Sequence, residues 1–127
     1  MVDERGEISA MYKGKAENDL GIRTDILNNI SKDKGIEMLI RSMTPNVIVC
    51  DEIGNREDIE AIYHTVCSGI KGIFTAHGNS IKYLKKNPIF KEMFGLNIFD
   101  KIIILDIKKR GKIAELYKKK EGEPHTP

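Results

Sequence analysis

The 127-residue chain contains no tryptophan, two cysteines and no long apolar run. A membrane-spanning helix needs about 20 consecutive, mainly apolar residues, so the sequence predicts none. Asp3 and Glu4 follow Met1 closely, whereas a signal peptide has a basic start and an apolar stretch. Cys50 and Cys67 lie in apolar surroundings without metal-ligand spacing, which favours a reducing compartment. We therefore expect a cytoplasmic protein.

The sequence also lacks the phosphate-binding loop pattern G-x-x-x-x-G-K-S/T. Gly14 and Lys15 are followed by Ala16, without a correctly spaced glycine before them. That loop supplies the backbone cradle and the lysine that hold the phosphates of a nucleotide. The chain has no pattern for a catalytic triad, a zinc site or an aromatic RNA-binding platform either, so nucleic-acid binding is not expected.

The net charge of +2 conceals an uneven distribution of charge along the chain. Residues 1–60 contain 8 basic and 13 acidic side chains, whereas residues 61–127 contain 13 basic and 6 acidic ones. Such a division indicates either self-association of opposite faces or a basic surface for an anionic partner. The alternative is that the lysines only solvate the surface of the second half.

The length of the chain predicts one domain, and its hydrophobic spacing predicts the α/β class. Two segments have apolar residues at helical spacing, and short apolar runs follow them, which is typical of helices alternating with buried parallel strands. The expected order is helix 33–43, strand 47–50, a helix between Asn55 and Gly69, strand 72–76, short helices near 81–84 and 89–94, and an antiparallel hairpin of 101–107 with 113–117. We expect a mostly parallel sheet flanked by helices, with loop over 1–32 and a disordered tail over 118–127.

Two carboxylates follow the most clearly predicted strand. Val47–Cys50 is apolar and leads directly into Asp51 and Glu52, at the end of a strand where open α/β sheets bind ligands. In nucleotide hydrolases such an aspartate holds Mg²⁺, commonly through water, and the glutamate polarises the attacking water. The alternative is an ordinary acidic turn after a strand.

A second polar group follows the next predicted strand. Thr75, His77 and Asn79 come after it, and a right-handed crossover would bring them to the same sheet edge as Asp51. The histidine could stabilise a phosphate, or it could be structural, with Asn79 serving only as a helix cap.

The chain resembles the second half of the secretion-type AAA+/RecA-like P-loop ATPases in four stretches. These are D-E-R-G-E-I at Asp3–Ile8, N-D-L-G-I-R-T-D at Asn18–Asp25, L-I-R-S-M-T-P-N-V-I-V-C-D-E-I-G-N-R-E-D at Leu39–Asp58, and T-A-H-G-N-S at Thr75–Ser80. The family includes the type IV pilus motors and the type II and type IV secretion ATPases. The resemblance is closest to its sporulation ATPases from endospore-forming bacteria, and it extends from about Met1 to Tyr117.

The resemblance implies roles for four carboxylates. Asp51 and Glu52 match the Walker B pair, with Asp51 near Mg²⁺ and Glu52 as the catalytic carboxylate. Asp3 and Glu4 match the acidic Asp box, which lies beside the bound ATP. ATP and Mg²⁺ are therefore the cofactors that the resemblance implies for the intact family.

The resemblance also implies a His box and arginine motifs. His77 matches the His box, with Thr75 and Asn79 beside it. Arg23 and Arg41 lie in arginine motifs and would face ATP from their own or a neighbouring subunit; taken alone, each arginine could equally be a surface residue paired with a nearby carboxylate. A ring-shaped homo-oligomer, usually a hexamer, and membrane-associated assembly partners are implied as well.

The family has its Walker A loop before the Asp box, and this chain begins two residues before Asp3. Residues 1–117 are therefore expected to be the C-terminal part of a RecA-like ATPase domain without its phosphate-binding half. The alternative is a non-catalytic interaction or ring-assembly module with a basic surface for an anionic partner.

We expect the isolated chain neither to bind Mg-ATP tightly nor to hydrolyse it, because the phosphates would lack their backbone cradle. Isothermal titration calorimetry of the chain with Mg-ATP measures the binding. A clear signal at micromolar affinity would contradict this prediction.

Overall fold

The computed structural model describes residues 1–119, which form two compact units, one over Met1–Ala76 and one from His77 onward. The predicted tail, 118–127, lies outside the described residues except for Lys118 and Lys119, and Lys118 ends a strand. Within the described part of the chain, no helix is both long and apolar enough to cross a lipid bilayer.

The first unit contains a parallel sheet and two helices. Its elements are β1 (Val2–Asp3), β2 (Met11–Tyr12), β3 (Lys15–Ala16), β4 (Leu27–Asn28), α1 (Lys32–Ser42), β5 (Val47–Cys50), α2 (Arg56–Cys67) and β6 (Lys71–Phe74). The main sheet has the order β4-β1-β5-β6 with every pair parallel, and β2 pairs with β3 in an antiparallel ribbon. The predicted parallel sheet with flanking helices is confirmed.

Strand β5 lies inside the sheet because its residues can be buried. Ile48 and Cys50 have no exposed surface, and α1 and α2 contribute the buried side chains of Ile36, Leu39 and Ile62. Each such side chain stabilises the fold by roughly 1.5–3 kcal/mol relative to exposure. The same residues therefore form the core of the unit and fix the position where β5 ends.

The start of α2 follows from a capping interaction that the sequence predicts. The Asp58 carboxylate accepts hydrogen bonds from the backbone N–H groups of Gly54 and Asn55, both at 2.9 Å. This satisfies donors that a helix N-terminus leaves unpaired and fixes the chain between β5 and α2. Asp58 is buried for this structural reason.

Residues 1–32, predicted as loop, contain four two-residue strands. Strand β1 lies between β4 and β5, because Val2 pairs with Leu27 on one side and Cys50 on the other. Two residues are too few to give an alternating hydrophobic pattern, so local sequence could not predict β4. Its pairing depends on a contact between distant parts of the chain.

The second unit contains α3 (Ile81–Leu84), α4 (Pro88–Gly95), β7 (Lys101–Leu105) and β8 (Ile113–Lys118). Ser80 caps α3 by accepting a hydrogen bond from the N–H of Tyr83, and Asn87 caps α4 in the same way from Ile89. Strands β7 and β8 pair antiparallel, so the predicted C-terminal hairpin is confirmed.

Gly35→Ala is expected to lower the free energy of unfolding by about 1–3 kcal/mol, because it overfills the contact between α1 and β1. A Cβ atom at Gly35 would lie 2.7 Å from Cγ1 of Val2. The matched control is Gly95→Ala in α4, where an added methyl group meets no atom within 4 Å. Urea unfolding followed by circular dichroism compares them, and equal effects would contradict the prediction.

Candidate active site

The carboxyl ends of the parallel strands bring several polar residues to one edge of the first unit. Asp3 ends β1, Asp51 and Glu52 follow β5, and Thr75 follows β6. Because β1, β5 and β6 are neighbours in register, these residues lie on adjacent strands of the sheet. We name this group, with Glu4, the acidic edge.

Asp3 is buried and accepts hydrogen bonds from three nearby donors. Its Oδ2 atom accepts from the Ser9 hydroxyl at 2.6 Å and the Ser9 N–H at 2.9 Å, and its Oδ1 atom accepts from the Ile8 N–H at 3.3 Å. Burial raises the pKa of Asp3, but these hydrogen bonds outweigh it and lower the pKa below its ordinary value. Asp3 therefore remains ionised and holds the loop that follows β1.

Asp51 is also buried, but its surroundings raise its pKa above the ordinary value. Burial raises its pKa, the nearby charge of Asp3 raises it further, and Glu52 adds to the same effect. A backbone hydrogen bond and the cation of Lys32 oppose the rise only in part. The same surroundings raise the pKa of the Cys50 thiol to about 12, first through burial and then through the charge of Asp51. The negative charge around Asp51 thus exceeds what the Lys32 cation offsets.

The backbone of Glu52 is held in an unusual conformation. Its φ angle is +45°, a left-handed value that costs a non-glycine residue of order 1–3 kcal/mol. The Glu52 N–H donates to the Thr75 hydroxyl at 3.0 Å, and the next N–H, of Ile53, donates to the Thr75 carbonyl at 2.8 Å. Thr75, directly after β6, therefore fixes the direction of the residue after Asp51.

Glu4 and Lys32 form an ion pair at the side of the acidic edge. The Lys32 Nζ atom donates to Glu4 Oε2 at 2.8 Å, and only 12% of the lysine side chain is exposed. Burial lowers the pKa of Lys32, but the hydrogen bond and charge of Glu4 outweigh it and raise the pKa. Lys32 was not among the predicted site residues, because its partner is distant in sequence and no local pattern marks it.

The two candidate arginines lie away from the acidic edge. Arg41 is exposed in the last turn of α1, ~14 Å along the helix from Lys32 at the other end. Arg23 is exposed two residues before Asp25, whose carbonyl accepts from the amino group of Met1 at the amino end of β1. The first unit therefore does not bring either arginine to the carboxylates of its own acidic edge.

His77 and Asn79 belong to the second unit. Both are exposed, and Asn79 precedes Ser80, the residue that caps α3. The structure therefore assigns the cap to Ser80 and leaves Asn79 outside it.

Two further properties concern metals and thiols. Over residues 1–119, no group of three or more His, Cys, Asp or Glu side chains could hold a metal ion by itself. Cys50 is buried and Cys67 is exposed, and both are free thiols. The acidic edge is therefore not a complete protein cage for a metal.

The fold and the acidic edge define an α/β protein with a candidate ligand site at the carboxyl ends of a parallel sheet. A profile of the family described as "Sporulation stage III, protein AA" matches residues 1–123. The chain belongs to this family, and the sporulation family expected from the sequence is confirmed.

A curated relative supports the same assignment. Stage III sporulation protein AA of Bacillus subtilis (strain 168) is 38% identical over 120 residues, which cover 94% of this chain and 39% of that protein. The chain thus spans about two fifths of the length of this relative. No solved structure matches the chain significantly.

Asp3→Asn is expected to lower the free energy of unfolding near neutral pH by about 1–3 kcal/mol, because an amide cannot accept all the hydrogen bonds from Ser9 and Ile8. Since the folded-state pKa of Asp3 is lowered, its ionised form stabilises the fold above the ordinary value of 3.8. This contribution disappears as pH falls through the folded-state pKa. Urea unfolding near neutral pH and at about pH 3 should show the variant's deficit shrinking in acid.

Asp51→Asn should act with the opposite sign and serves as the matched comparison. Because its folded-state pKa is raised, ionised Asp51 costs stability at neutral pH, and this cost vanishes below the ordinary value of 3.8. The variant should gain about 0.5–1 kcal/mol near neutral pH. A loss as large as that of Asp3→Asn would contradict this account of the edge.

Proposed function

We propose that the chain supplies the catalytic-carboxylate half of an ATP-hydrolysing motor of the secretion-ATPase type that acts in sporulation. The observation that carries this proposal is the position of Asp51 and Glu52 directly after an internal strand of the parallel sheet. Open α/β sheets bind ligands at this edge, and nucleotide hydrolysis needs one carboxylate near a metal ion and one group that orients water.

The donor set at the acidic edge suits a magnesium ion. The raised pKa of Asp51, caused by burial and then by Asp3 and Glu52, indicates an excess of negative charge that a divalent cation would relieve. Mg²⁺ is usually held by one or two carboxylates, water and substrate phosphates, so a complete protein cage is not needed. Asp51 would hold the ion through water, and the bound ion would neutralise charge on the phosphate oxygens.

Glu52 is the group that would orient and deprotonate the attacking water. Its side chain is 33% exposed, and its Arg5 partner lies at 3.8 Å, a long distance for an ion pair. Thr75 fixes the backbone of Glu52, so the residue that carries this carboxylate is positioned from the neighbouring strand's end. This combination leaves a positioned carboxylate within reach of water, as general-base catalysis requires.

Asp3 and Glu4 would support the site from β1. The oxygens of Asp3 already accept hydrogen bonds from Ser9 and Ile8, so we assign Asp3 a positioning role. Glu4 borders the edge with its Lys32 partner and is the better candidate for a contact to the nucleotide.

The phosphate-binding roles proposed for His77 and Asn79, in the second unit, come from the resemblance and from the chemistry of their side chains. His77 and Asn79, which follow β6 closely in sequence, carry groups that can donate hydrogen bonds to phosphate oxygens. The Thr75 hydroxyl accepts from Glu52, so its role in this proposal is positioning.

The positions of the arginines favour action between subunits. Arg23 and Arg41 lie on segments away from the acidic edge of their own unit. In a homo-oligomeric ring, such as the hexamer that the resemblance implies, either could instead reach the nucleotide of a neighbour and stabilise charge on the transferred phosphoryl group.

The test joins an upstream segment carrying a Walker A loop to this chain and measures ATP hydrolysis. We expect the joined protein to hydrolyse ATP and Glu52→Gln to lower kcat by at least about 100-fold while Mg-ATP binding persists. Glu60→Gln, on the exposed face of α2, is the control and should retain activity.

Equal activity in the Glu52→Gln and Glu60→Gln proteins would overturn the assignment of Glu52. If the joined protein bound a partner but never hydrolysed ATP, and this binding survived Glu52→Gln, the alternative function of a non-catalytic interaction module would replace the proposal.

A further inference from the structure

One face of the β7–β8 hairpin is apolar and exposed. The cross-strand pairs on this face are Ile103 with Leu116 and Leu105 with Ile113. All four side chains are at least 46% exposed, and Leu105 reaches 61%. An apolar face that is this exposed commonly marks an interaction surface. We name these four residues the apolar face.

Cations lie at both ends of the apolar face. Lys101 pairs with Lys118 at the base of the hairpin, on the same face because strand residues two apart share a side. At the tip, the turn carries four basic side chains within five residues, and they are Lys108, Lys109, Arg110 and Lys112. Positive charge therefore lies at both ends of the apolar face.

The conformation of the turn is fixed. The Asp106 Oδ1 atom accepts hydrogen bonds from the N–H groups of Lys108 at 2.7 Å and Lys109 at 2.9 Å, and the Asp106 N–H donates to the Lys112 carbonyl at 2.8 Å. Ile107 lies in this turn with 75% of its surface exposed. The turn thus presents an apolar side chain among cations in one defined arrangement.

Acidic side chains are scarce on this part of the chain. Residues 100–119 contain seven basic and three acidic side chains. One acidic residue, Asp106, is used within the turn, and another, Glu115, accepts a hydrogen bond from Tyr117 on the opposite side of the hairpin. The apolar face itself carries no carboxylate.

We propose that the β7–β8 hairpin binds the surface of an anionic lipid bilayer, with the apolar face and Ile107 entering the interfacial region. The basic side chains at the tip and base would contact the lipid phosphates. Amphipathic surfaces that combine exposed aliphatic residues with lysine and arginine bind anionic membranes, because apolar burial in the interface and electrostatic attraction to the lipids both contribute. This interaction does not depend on ATP hydrolysis.

The chemistry of the hairpin favours lipid over nucleic acid. A phosphate backbone would satisfy the cations but offers no apolar environment for Leu105, Ile107 and Ile113. Single-stranded nucleic acid is usually bound by stacking on aromatic side chains, and the apolar face is aliphatic. The bilayer interface accommodates the basic and the aliphatic side chains at the same time.

The experiment uses the absence of tryptophan from the chain, which allows one reporter to be introduced. We compare Ile107→Trp with Ile22→Trp, because Ile22 is fully exposed in the first unit. With vesicles of phosphatidylcholine and phosphatidylglycerol, the emission of the Ile107 reporter should shift to the blue. It should not shift with phosphatidylcholine alone, and the Ile22 reporter should not shift with either.

Two sets of variants separate the contribution of the basic side chains from that of the apolar side chains, and vesicle flotation measures the binding of each variant. Lys108→Glu with Lys109→Glu should weaken binding more than about tenfold, and so should Leu105→Ser with Ile107→Ser. Lys13→Glu with Lys15→Glu, on the β2–β3 ribbon, is the control and should bind as the unmodified chain does. Binding should also weaken as salt rises.

Three results would overturn the proposal. The first is no blue shift with anionic vesicles, or an equal shift for both reporters, in chains whose circular dichroism is unchanged. The second is a shift that occurs with heparin or RNA in place of lipid. The third is a shift without vesicles that grows with protein concentration, because a second copy would then cover the apolar face.

Discussion

The parallel pairing of β1 between β4 and β5 is the constraint on which the first unit depends. Val2 is the residue that makes both pairings, and it is fully buried beneath α1. This short strand brings Asp3 beside the end of β5, where its charge acts on Asp51. Without β1 the sheet would lose its connection to β4, and Asp3 and Glu4 would no longer lie beside Asp51 and Glu52. A strand of two residues therefore determines whether Asp3 and Glu4 belong to the acidic edge.

The acidic edge combines groups with opposite effects on stability. Asp3 is a buried charge whose hydrogen-bond donors are built into the fold, and its lowered pKa is the result. Asp51 is a buried charge with too little compensation, and its pKa is raised. The backbone of Glu52 has a left-handed φ angle, and the hydrogen bond to Thr75 holds it there. Unfavourable charge and backbone strain that persist in a folded protein commonly mark sites where a ligand supplies what is missing.

Much of the fold could be predicted from the sequence because its signals are local. The apolar run of β5, the Asn55–Asp58 cap of α2 and the C-terminal hairpin are each specified within a few residues. The strand β4 and the Glu4–Lys32 pair could not be predicted, since each depends on a contact between residues 25 or more positions apart and leaves no local pattern. The acidic pair after β5 could be placed at a strand end, but the φ angle of Glu52 arises from its contact with the next strand.

Thr75 orients Glu52 from a position near the C-terminal end of the first unit. It directs the backbone of Glu52 through one hydrogen bond of 3.0 Å, and it stands two residues before the first residue of the second unit. In sequence, only Ala76 separates Thr75 from the second unit. Because this hydrogen bond fixes the backbone of Glu52, a displacement of Thr75 would change the direction of the glutamate, so the orientation of one candidate catalytic residue depends on a residue near the C-terminal end of the first unit.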